Sequence, residues 1–187
     1  LETVVMVLLL IIVGCQQEKN PAIKAVEFSE NEKELLSAVG VKRYFAFDID
    51  LSQITFEMLD FRVDHYENGE LIETISHGGL SEIMTEQNQR KLIWSQVNAN
   101  NNQEVWMISF SNSRYTQQVT LSDEIMGMSW GQVEVIPAIN PGEDIILAAI
   151  VGTKNSVLPG VIFDPEEGGI NLLEQYDMAY VLIVSFQ

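Results

Sequence analysis

The sequence predicts a mainly β protein: an antiparallel two-sheet β-sandwich, with an immunoglobulin-like topology as one form of it, preceded by one short N-terminal helix. Three observations carry this. Apolar residues recur with a period of two from Val41 onward, turn-forming residues break the pattern at short intervals, and only one segment has a helical signature. The Cys, Trp and Cys mark of true immunoglobulin domains is absent, since Cys15 is the single cysteine.

The helix is placed by Ser29-Glu30-Asn31-Glu32, a capping-box pattern, followed by Lys33 to Val39 and a stop at Gly40. Leu35, Leu36 and Val39 are its expected buried face. The first strand follows, where Phe45, Phe47, Ile49 and Leu51 alternate with Tyr44, Ala46, Asp48 and Asp50, giving an acidic outer face. Phe61 to Tyr66 and Leu71 to Ile75 flank Asn68-Gly69, a two-residue hairpin signal because both central positions need positive φ. Ser81 to Gln89 fits either a short helix or an irregular crossover. A second hairpin joins Leu92 to Val97 with Val105 to Phe110 across an Asn-rich tip, expected to be mobile, at residues 98–103. Gln132 to Ile139 and Asp144 to Val151 enclose Asn140-Pro141-Gly142-Glu143, where Pro and Gly favour a type II turn. Ala179 to Phe186 is apolar enough for a central strand. Seven to nine strands result.

Ahead of this domain, ten aliphatic residues from Val4 to Val13 end in Gly14-Cys15 and a polar run, Gln16 to Asn20. The run is about half the length a membrane-spanning helix needs. Ile12-Val13-Gly14-Cys15 resembles the lipobox of bacterial lipoprotein signal peptides, although no Lys or Arg precedes Lys19. The resemblance implies that Cys15 is lipidated, with a fatty acyl group such as palmitate, and anchors the protein on the extracytoplasmic side of the cell membrane. The expected organisation is therefore a signal peptide at 1–15, a flexible tether at 16–27 and one domain at 28–187. No motif beyond residue 15 points to a known family.

The net charge of −17 argues against nucleic-acid binding, because such a surface repels phosphate backbones. From Thr120 to Gln187 ten acidic residues face one basic residue, Lys154, which biases the domain away from anionic lipid and toward a basic protein or envelope component as partner.

Few residues suggest chemistry. Gly127-Met128-Ser129-Trp130-Gly131 fits the nucleophile-elbow pattern of serine hydrolases, but that elbow needs a following helix, and both histidines, His65 and His77, precede the serine. The expectation is a bend between strands, with Met126, Met128 and Trp130 on one face. The two histidines bracket the Asn68-Gly69 turn and lack ligand spacing. Asp48 and Asp50 lie at i and i+2, about 7 Å apart on one strand face, close enough to share a cation. Asp164, Glu166 and Glu167 stand in an acidic loop that could wrap a calcium ion, though without a known metal-loop pattern. Trp94, Trp106 and Trp130 are expected in the core. No phosphate loop, dinucleotide fingerprint or zinc knuckle occurs.

The functional expectation is a lipid-anchored extracytoplasmic lipoprotein that acts as a non-enzymatic binding or interaction module. A calcium-stabilised envelope domain and a secreted hydrolase are the alternatives. No cofactor is expected beyond the lipid on Cys15, with calcium open.

Overall fold

Alternating side chains build the domain. The computed structural model describes residues 22–81, 89–98, 103–122, 124–155 and 173–187. Cys15, Asp164, Glu166 and Glu167 lie outside the described residues, as do most of the Asn-rich tip and residues 82–88. In chain order the elements are β1 (Ile23–Ala25), α1 (Glu30–Ala38), β2 (Val41–Asp50), a 3-10 turn (Leu51–Gln53), β3 (Met58–Glu67), β4 (Glu70–Ser81), β5 (Gln89–Asn98), β6 (Gln103–Phe110), β7 (Ser113–Thr120), β8 (Gly127–Gln132), β9 (Val135–Ile136), β10 (Asp144–Thr153) and β11 (Met178–Phe186).

Six strands form one sheet in the order β7-β6-β5-β2-β1-β9, and five form the other in the order β4-β3-β11-β10-β8. All the pairings are antiparallel. The two-sheet sandwich is as the periodicity predicts, with more strands among the described residues than the immunoglobulin arrangement has. Phe45, Phe47, Trp94, Ile108 and Phe110 of the first sheet meet Phe61, Leu182, Val184 and Phe186 of the second in one core.

β11 is buried along its whole length. Its other face carries a second apolar cluster, in which Ala149, Val151, Val181 and Ile183 are joined by Leu173 and Tyr176. This explains its unbroken apolar run, since a strand covered on both faces has no need to alternate.

Several expectations fail for physical reasons. The folded domain begins earlier than predicted, because Ile23 to Ala25 pair with both β2 and β9 and Ile23 is fully buried. Three residues of strand are too few to show a period. The capping box of α1 is present, with Ser29 Oγ accepting from the Glu32 amide at 3.4 Å and Glu32 accepting from the Ser29 amide at 2.8 Å. Its expected apolar face is not buried, however: Leu35 and Val39 are each 65% exposed, and only Leu36 is half-buried. Capping and the T-shaped contact of Phe28 with Tyr44, at 4.9 Å, secure this stretch instead.

The hairpin expected around Pro141 does not pair as predicted. Its turn has the anticipated form, with Gly142 at φ +85 and the Glu143 amide donating to the Asn140 carbonyl at 3.3 Å. Yet Val135 and Ile136 cross to β1 in the other sheet, and β10 pairs with β8 and β11. The segment expected as one strand, Gln132 to Ile139, is thus divided between the sheets, with buried Val133 between β8 and β9. The Asn68-Gly69 turn has both residues at positive φ, as predicted. The strand after it runs on to Ser81, and β7 adds an edge strand that its polar sequence, SRYTQQVT, concealed.

Candidate functional site

The inward-facing rows of the first sheet are apolar until they reach one end of the sandwich. On β2 the row runs Ile49, Phe47, Phe45 and then Arg43; on β5 it runs Leu92, Trp94 and then Gln96; on β6 it runs Phe110, Ile108, Trp106 and then Glu104. Strand register places Arg43 beside Gln96, and Gln96 beside Trp106. Three polar side chains therefore share one end of the core, all buried.

A bulge in β2 between Val41 and Arg43 lets two consecutive cations reach the same carboxylate. Glu104 Oε1 lies 2.7 Å from Lys42 Nζ and 3.5 Å from Arg43 Nη1, while its Oε2 accepts from the Trp106 indole at 2.9 Å. Arg43 Nη1 also donates to Gln96 Oε1 at 3.0 Å. Burial pushes the Arg43 guanidinium below its ordinary pKa, and Glu104 opposes that shift. The second sheet closes the group through β8. Met128 Sδ is 3.8 Å from Arg43 Nη2, and the Trp130 ring covers the guanidinium at 4.8 Å from its centroid. Trp130 is 52% exposed, so its other side faces solvent.

Aromatic contacts extend the site across the core. Trp106 meets Tyr180 of β11 edge to face at 4.4 Å, and Tyr180 stacks on His65 at 4.5 Å. Burial, helped by the charges of Glu73, Glu67 and Glu104, pushes the Tyr180 phenol up to about 12. The fold thus favours the neutral phenol over its unfolded value of about 10. The resulting stabilisation is fully present below about pH 10 and is lost as pH rises toward 12. Tyr180→Phe, which keeps the ring and removes the titrating hydroxyl, is expected to flatten the fall of urea midpoints across that window. Equal falls in both proteins would contradict the burial of this phenol.

The residues singled out by sequence mostly lie elsewhere. Ser129 sits within antiparallel edge strand β8 opposite Val151, and strand β9 rather than a helix comes next, so the elbow geometry is absent. The expected bend is a strand, and Trp130, expected in the core, is half exposed; Trp94 and Trp106 are core residues. Asp48 and Asp50 have different partners: Asp48 lies 3.3 Å from Lys91, and Asp50 caps the 3-10 turn through the Ser52 amide at 3.0 Å. His77 is exposed, 3.5 Å from Asp60, and separate from His65. Among the described residues no group of three His, Cys, Asp or Glu side chains could hold a metal ion.

Sequence reasoning missed Arg43, Gln96 and Glu104. A signal was available in the alternation itself, because each occupies an inward position of an otherwise apolar row. An amide or charge there is informative, since burial demands a partner.

Comparison with known proteins gives one match. Residues 22–186 match the family model of the YgaN domain. No curated protein and no solved structure matches. The domain, for which sequence motifs alone pointed to no family, therefore has one, and the match begins one residue ahead of β1.

Proposed function

We propose that this chain, which belongs to the YgaN domain family, is a lipid-anchored extracytoplasmic lipoprotein whose domain is a non-enzymatic binding module. The address rests on the lipobox-like Ile12-Val13-Gly14-Cys15, and the acylated cysteine is the anchor. No helix among the described residues is long and apolar enough to cross a membrane.

The binding reading rests on one observation: half-exposed Trp130 lies over buried Arg43 at the end of the core where polar groups gather. An aromatic ring with one face on a fixed cation and the other in solvent is a ready contact surface. Acid–base chemistry has little support here, since Glu104 is engaged on both oxygens and His65 makes ring contact with Tyr180.

The address is tested by expressing the full chain and its Cys15→Ala variant in a bacterial host with labelled fatty acid. Labelling and recovery in the membrane fraction are expected for the parent and loss of both for the variant. Retention of both by Cys15→Ala would defeat the anchor assignment.

A further inference from the structure

Two arginines of the sandwich, Arg62 and Arg43, use their guanidinium groups differently. Arg62, on the outer face of the second sheet, donates from Nε to Asp64 at 2.8 Å and from Nη1 and Nη2 to the two Asp144 oxygens at 3.1 and 2.5 Å. Each of its nitrogens has a carboxylate oxygen. Hydrogen bonding to Asp144, foremost, holds it firmly protonated.

Arg43 has no such arrangement. Its Nη1 is engaged by Gln96 and Glu104, but Nη2 has the Met128 sulfur at 3.8 Å, and Nε is buried without a hydrogen-bond partner among the described residues. Nε and Nη2 form the side-on edge of the guanidinium, which matches the two oxygens of a carboxylate. Gln96, fully buried, accepts from Arg43 at Oε1, and its Nε2 is likewise without a partner among the described residues.

The spare groups are therefore donors. Glu104 is engaged on both oxygens, and the Gln96 oxygen is taken. Lys42, Arg43 and Glu104 together carry one net positive charge in a chain of net charge −17. A complementary ligand brings acceptors and negative charge rather than hydroxyl or ammonium donors. Both Met128 and Trp130 belong to edge strand β8, so the approach past the exposed indole leaves the sheet pairings intact.

We propose that the Nε and Nη2 edge of Arg43 is a binding site for a carboxylate attached to an apolar group that rests on Trp130. The inference builds on the binding-module reading and names its ligand class. A small organic acid and the C-terminus of a peptide share this chemistry.

The full chain is titrated with acetate, benzoate and N-acetyl-phenylalanine, each beside its neutral amide, with tryptophan fluorescence and thermal melting as readouts. Saturable binding of an aromatic carboxylate is expected, at least about tenfold tighter than of its amide and at least about tenfold weakened by Arg43→Met. Benzoate binding indicates a small acid, and binding of N-acetyl-phenylalanine alone indicates a peptide C-terminus. Trp130→Ala, at a half-exposed position, is expected to fold and to lose the preference for benzoate over acetate. Absence of carboxylate binding, equal binding of the amides, or parent-like binding by both variants would overturn the proposal. Its failure leaves the Cys15 labelling result intact, and failure of that labelling leaves carboxylate binding intact.

Discussion

Glu104→Gln is expected to destabilise the domain by about 3–5 kcal/mol, the usual cost of removing one partner from a buried ion pair. The glutamine keeps the shape and can still accept from Trp106, so the loss isolates the charge. Lys42 can turn toward water because its side chain is 37% exposed, whereas Arg43 is held beneath Trp130 and against Met128 with its charge uncompensated. Replacing both members of the pair, Glu104→Leu with Arg43→Met, is expected to recover most of the loss, because apolar packing substitutes well for a buried pair. Urea denaturation with an unchanged slope measures both. A single variant within about 1 kcal/mol of the parent would mean that Glu104 does not neutralise Arg43.

The sandwich was legible because its strands are covered mainly on one face. Phe45, Phe47 and Ile49 point inward as their period requires, and exposed Asp48 between them points out. The Asn68-Gly69 turn was equally legible, since its local backbone demand is met by only a few residue types. What failed was pairing over longer range. Nothing in Gln132 to Ile139 records that Val135 and Ile136 leave the second sheet for β1, because a two-residue strand has no period. β7 was hidden because an edge strand with one buried residue, Val119, needs no apolar row.

The site was legible only in retrospect, through interruptions in a pattern. Arg43 follows the inward parity of Phe45, and Gln96 that of Trp94, but parity alone leaves open whether a strand has already ended. Only register brings the interruptions on β2, β5 and β6 to the same end of the core. Motifs drew attention to Ser129, Asp48 and Asp50, whose partners are structural: a strand neighbour, a lysine and a turn amide. Trp130 keeps the alternation of Met128, but its strand β8 lies at the sheet edge, which leaves the indole half exposed.

Gly78 makes a similar demand that composition does not reveal, and Gly78→Ala is expected to cost about 2–3 kcal/mol. A Cβ at this position would lie 2.6 Å from Phe61 Cε2 and Cζ and 2.6 Å from Tyr115 Cζ. Phe61 belongs to the neighbouring strand and Tyr115 to the opposite sheet, and their rings meet at 5.4 Å over the glycine. Neither ring can retreat freely, because Phe61 also packs on Phe110 at 5.5 Å. The added methyl must therefore part the sheets where β4 approaches β7. Gly79 is the internal comparison, with the same change of residue on the same strand. Its Cβ would meet the Asp60 carboxylate at 2.8 Å, a side chain that can turn aside, and the Leu59 carbonyl at 3.3 Å. Both substitutions restrict the unfolded chain alike, by about 0.4–1 kcal/mol, so that contribution cancels between them. Gly79→Ala is expected to stay within about 1 kcal/mol of the parent. Chemical denaturation of the two variants side by side reads the difference, and equal midpoints would show that the rings of Phe61 and Tyr115 do not close over Gly78.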